Sequence, residues 1–69
     1  MVLSDEFHEA VEAIRESGVI NMLDKKGLEY YLDDFGYPNV AAEISNMTSS
    51  EYMDMLNDHG DWIRQRGIG

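Results

Sequence analysis

An all-α fold, a small single-domain bundle of three to four short helices, is what this sequence predicts, and three observations predict it. Apolar residues recur at helical spacing in three segments: Phe7, Ala10, Val11 and Ile14; Leu28, Tyr31, Leu32 and Phe35; and Tyr52, Met55, Leu56, His59, Trp62 and Ile63. No stretch alternates with the two-residue period of a half-buried strand. Gly18-Val-Ile-Asn21 and Gly36-Tyr-Pro-Asn39 each offer a glycine to end one helix and an asparagine to cap the next. A two-stranded hairpin around Tyr30 to Val40 is the main structural rival.

The first helix is predicted from Asp5 to Ser17. Ser4 is its N-cap, Asp5 and Glu6 place negative charge where the helix dipole favours it, and Gly18 supplies a left-handed end. A second helix runs from about Asp24 to Phe35, weakened by Gly27 in its first turn, which costs roughly 1 kcal/mol relative to alanine. Pro38 bars helix continuation and restrains Tyr37, so Asn39 is expected to cap a short third helix carrying Val40, Ala41, Ile44 and Met47. Thr48-Ser-Ser-Glu51 reads as a capping box, and the helix it starts is the longest, ending near Arg66 with Arg64 and Arg66 in its last turn and Gly67 beyond. Gly60 inside it marks a weak point or a close approach. Met53 should project from the edge of this helix, and Met47, Met55 and Trp62 should be core.

Sixty-nine residues make a single domain, 1–69. A domain of that size buries only about 60% of the surface its unfolded chain exposes. Fourteen acidic against five basic residues give a net charge of −9, a field that repels phosphate backbones and anionic lipid. Direct nucleic-acid binding is therefore not expected. Absence of cysteine suits a reducing compartment, and no apolar run approaches a membrane span. The opening Met-Val-Leu-Ser-Asp-Glu lacks the basic and apolar regions of a secretory signal, so a cytoplasmic location, in the host cell if the protein is phage-encoded, is expected.

The run Ile14-Arg15-x-Ser17-Gly18-x-x-Asn21-Met22-x-Asp24 resembles the core of a family of short, functionally uncharacterised proteins of phages and prophages of Gram-positive bacteria. That family looks like Ile-Arg-x-Thr/Ser-Gly-x-x-Asn-Met-Phe-Asp followed by a helix, a glycine corner and a closing helix; Leu23 stands here in place of the usual Phe, and the spacing before Tyr52 is longer. The resemblance covers about eleven residues, implies a phage-encoded protein, and supplies no activity, cofactor or catalytic residue.

Four carboxylates, Asp5, Glu9, Glu12 and Glu16, fall at i, i+4, i+7 and i+11, a ridge opposite the apolar stripe of the first helix. Like charges at this spacing cost about 0.2–0.5 kcal/mol per pair. Helix stability does not ask for the ridge; it is either a solvated face or a surface for a basic partner. Tyr30 is expected to be exposed among Lys26, Asp33 and Asp34, where an aromatic can anchor an interface. His8 with Glu12, and His59 with Asp58 and Asp61, match no zinc or calcium spacing, and His59 falls mid-stripe, so a packed histidine is expected and no metal. Without a cysteine nucleophile or a Gly-rich phosphate loop, neither catalysis nor a cofactor is expected.

These features predict a non-catalytic acidic protein that binds a host or phage protein through Asp5, Glu9, Glu12, Glu16 and Tyr30, blocking a nucleic-acid-binding partner in its sharpest form. The alternatives are a homo-oligomer, such as a homodimer, with a structural or assembly role, and a DNA-associated regulatory factor. The last would need a basic recognition helix, which neither Leu28–Phe35 nor Tyr52–Ile63 supplies.

Overall fold

Each helix begins where the sequence offers an acceptor or a proline to its free backbone N–H groups. A computed structural model describes residues 3–67 and forms α1 (Asp5–Ser17), α2 (Lys25–Asp34), α3 (Pro38–Ser45) and α4 (Ser49–Gln65), with no strand among the described residues. The hairpin rival is thereby excluded. Ser4 Oγ accepts from the Phe7 N–H at 3.1 Å. Gly18, at φ 69°, closes α1 with its N–H donating to the Arg15 carbonyl. At the first corner Asn21 does not cap the next helix as expected: its Oδ1 accepts from Leu23 N at 2.9 Å and shapes the turn, while Asp24 Oδ1 accepts from Gly27 N at 2.9 Å and caps α2. Gly27 is more than a weakness, because a Cβ there would lie 2.5 Å from Asp24 Oδ2.

The second corner departs from expectation in two ways. Gly36 adopts φ 94°, the Tyr37 N–H donates to Leu32 O, and Gly36 N–H donates to Asp33 O, the paired bonds of a Schellman end. That turn folds Tyr37 back towards Leu32 and leaves Phe35 exposed, edge-on to Tyr31, so Phe35 is not part of the core stripe. Asn39 does not cap α3. Pro38 occupies the first helical turn instead, where its missing N–H and fixed φ cost nothing, and Tyr37 precedes it without a side-chain cap. At the start of α4 the capping box is formed as read: Thr48 Oγ1 accepts from Glu51 N at 3.1 Å and Glu51 Oε1 accepts from Thr48 N at 2.8 Å.

The core gathers Phe7, Val11 and Ile14 of α1, Leu28 and Leu32 of α2, Ile44 of α3 and Met55 of α4. Met47 packs half-buried against it and Met53 is exposed. Helices α2 and α3 pack most closely, while α1 and α4 run antiparallel, Asp5 meeting Trp62 and Glu12 meeting His59. Tyr52 locks the far end of this pair, its hydroxyl donating to the Met22 carbonyl at 2.5 Å. Among the described residues no helix is long and apolar enough to cross a membrane.

Two substitutions test this packing. A Cβ at Gly60 would meet only Arg64 Nη1, at 3.8 Å, so no close approach requires glycine there, and Gly60→Ala is expected to raise stability by about 0.5–1 kcal/mol in urea unfolding. Burial pushes the Tyr52 phenol up to about 12 from 10.0. A raised folded value gives stability that is present below 10 and lost as pH rises through 12; Tyr52→Phe should cost about 1 kcal/mol at neutral pH and remove that alkaline loss.

Candidate functional site

Burying a carboxylate is costly unless it is paired and hydrogen-bonded, and α1 buries one. Glu12 is only 6% exposed. Arg15, one turn on, grips it with two N–H groups, Nε to Oε1 at 2.7 Å and Nη2 to Oε2 at 2.5 Å, a bidentate charge-assisted pair. From α4, His59 Nε2 reaches Oε1 at 2.9 Å. The Arg15 hydrogen bonds hold the Glu12 carboxyl below the ordinary carboxylate range against the opposing effect of burial, and the His59 bond adds to them.

The network continues to a second histidine. His8 Nδ1 and His59 Nδ1 are 2.9 Å apart, both rings are buried at 4% and 3% exposure, and their planes differ by 20°. A ring-centroid separation of 5.2 Å is what two nearly coplanar imidazoles joined end to end across that gap produce, so their facing nitrogens point at each other along one line. This is hydrogen-bond geometry. A metal held in line between them would need about 4 Å, two bonds of roughly 2.0 Å each, and among the described residues no group of three or more His, Asp or Glu is arranged to hold a metal ion.

Proton positions follow from the acceptor at one end. An ionised carboxylate only accepts, so His59 must carry its proton on Nε2; a neutral His59 then offers Nδ1 as acceptor, and His8 must donate its Nδ1–H. The order Arg15, Glu12, His59, His8 is therefore a directed chain of hydrogen bonds joining α1 to α4 twice. Burial first, and the neighbouring His59 second, push the His8 pKa below its ordinary value of 6.5.

Trp62 covers the pair. Its ring is nearly parallel to both imidazoles, 5.2 Å from His8 and 5.6 Å from His59 between centroids, within the range of offset stacking. Arg66 lies over Trp62 at 4.5 Å and pairs with Asp5 at 2.8 Å, while Trp62 Nε1 donates to Asp5 Oδ1 at 3.1 Å. Asp5, exposed as it is, is thus held by Trp62 of α4 and by Arg66 just beyond its end, and its carboxyl lies below the ordinary range through the hydrogen bonds from Arg66 and then Trp62.

The expected ridge of Asp5, Glu9, Glu12 and Glu16 is therefore broken. Glu12 does not face outward, because α4 covers a second flank of α1 beyond the one that faces α2, and Asp5 serves the α1–α4 contact. Glu9 and Glu16 remain exposed, as does Tyr30 at 65%, edge-on to Tyr31 at 5.1 Å. His59 is the packed histidine its place in the stripe predicts. His8 escaped sequence reasoning: it lies round the helix from Phe7 and Val11, and its only signal was its i, i+4 relation to Glu12.

Removing the acceptor tests the network. Glu12→Ala leaves the His59 Nε2–H buried without a partner and is expected to cost about 2–3 kcal/mol in urea unfolding at pH 7, against no more than about 0.5 kcal/mol for Glu9→Ala. His8 and Glu12 both bind protons more readily in the unfolded chain. Stability should therefore fall as pH drops below 6.5 through His8 and again below 4.5 through Glu12, the second loss being absent from Glu12→Ala.

No family description, curated protein or solved structure matches this chain, so the arrangement of α1 against α4 stands on its own geometry.

Proposed function

We propose that this chain is a non-catalytic interaction protein whose outward carboxylates meet a basic surface on a partner protein. The observation that carries this reading is the fate of the cations. Four of the five basic side chains are paired within the molecule: Arg15 with Glu12, Lys25 with Glu29, Arg64 with Asp61 and Arg66 with Asp5. Glu6, Glu9 and Glu16 on α1, Asp33 and Asp34 on α2 and Asp54 on α4 are left exposed and in excess of the cations, so the net charge of −9 is carried by outward carboxylates. Such a field speeds encounter with a cationic partner and rejects polyanions.

Within that surface Glu9 and Glu16 supply charge and Tyr30, flanked by Asp33 and Asp34, supplies an aromatic anchor of the kind that concentrates binding energy. The resemblance to short phage proteins favours a host or phage protein as partner, and a nucleic-acid-binding protein is the kind whose basic face such a field would occupy. Affinity capture with the wild-type chain, followed by direct titration of the captured partner, tests the reading. Glu9→Lys with Glu16→Lys should weaken binding about tenfold or more and flatten its salt dependence, and Tyr30→Ala should cost about 1 kcal/mol or more. Unchanged affinity in both variants rejects the surface.

The exposure of Leu23 and Tyr30 favours a second reading, self-association into a structural homo-oligomer. Light scattering separates the two: a strict monomer at tens of micromolar rejects it, and a stable dimer that captures no partner supports it.

A further inference from the structure

We propose that the His8–His59 bond is an acid-operated clasp between α1 and α4: the pair takes its first proton without losing a hydrogen bond and opens on the second. The argument is a count of protons over four ring nitrogens. In the neutral pair His59 donates from Nε2 to Glu12 and accepts at Nδ1, His8 donates from Nδ1, and the vacant nitrogen is His8 Nε2. A first proton placed there leaves the pair singly charged with one proton between the facing Nδ1 atoms, so one ring still donates to a lone pair on the other. All the bonds from Arg15 to His8 survive, although the buried charge lowers stability.

A second proton has one place left, the Nδ1 that accepts in the bridge. Two N–H groups would then face each other across 2.9 Å, each on a charged ring, and no rotation of either ring restores the contact while Glu12 holds the other side of His59. The rings must separate, and Trp62, stacked on both, must move with them. The charged groups around the pair act in both directions. Asp5 of α1 and Asp58 of α4 favour a charged His8, while His59 of α4 and Arg66 just beyond its end oppose it; Glu12, paired with Arg15, faces the Nε2 side of His59. The core pair α2 and α3, with Leu28, Leu32 and Ile44, lies outside this network and stays packed when the clasp opens.

Long-range proton–nitrogen NMR of the imidazoles in the wild-type chain from pH 8 to pH 4, with fluorescence of Trp62, the single tryptophan, tests the proposal. At pH 8 the protons should sit on His8 Nδ1 and His59 Nε2. The first uptake should appear at His8 Nε2 with the α1 and α4 amide signals in place. The second, at the accepting Nδ1 of the bridge, should coincide with the change in Trp62 emission and with rapid amide exchange in the last two turns of α4. Opposite tautomers at pH 8, an undisturbed α1–α4 contact after both protons have bound, or loss of α2–α3 protection in the same step would each overturn it. His8→Gln supplies an independent arm, because its amide oxygen can accept from a protonated His59. That variant should open at lower pH than wild type, with uptake reduced from about two protons to about one; opening at the same or a higher pH counts against the clasp. If the variant does not fold at pH 7, the wild-type tautomers and their coincidence with opening decide the question.

Discussion

Glu12 is buried only because Arg15 and His59 bring three N–H donors to its two oxygens, and that requirement fixes how α1 and α4 meet. Arg15 comes from the same helix and is available whatever α4 does. His59 comes from across the interface and must present Nε2, which sets its ring orientation, its tautomer and, through Nδ1, the position of His8. Hydrophobic contact is indifferent to a rotation of one helix against another, whereas this chain of directed bonds is not. The apolar stripe drives α4 onto the core and the polar network selects one register.

Much of the fold was legible because it is local. Ser4, Asp24 and Thr48 cap helices with their own side chains, and Gly18 and Gly36 turn the chain where left-handed geometry is needed; each effect acts within five residues. The errors also have local causes. Asn39 and Pro38 compete for the start of α3, and proline prevails by fitting the first turn, while Phe35 leaves the stripe because the Schellman turn at Gly36 brings Tyr37 back in its place.

The candidate site was less legible, because it is made by α4 lying on a flank of α1 that carries no apolar signal. Helical periodicity places Glu12 with Asp5, Glu9 and Glu16 on one side, and nothing in a single helix distinguishes the carboxylate that a distant His59 will claim. The same geometry that hides Glu12 leaves Glu9 and Glu16 as the outward carboxylates of α1. Packing and surface charge are two consequences of one set of contacts.

The contacts of the α1–α4 interface join residues 47 to 57 positions apart, whereas α2 and α3 are separated by a corner of three residues, 35–37. Closing so long a stretch of chain carries an entropic cost that a short corner does not. Local helix pairing can therefore proceed step by step, but His8, Glu12, His59 and Trp62 gain nothing until nearly the whole polypeptide has been drawn into a ring. The order of assembly is thus set by where along the chain the partners lie, and the most specific contact in the molecule is the one that has to wait.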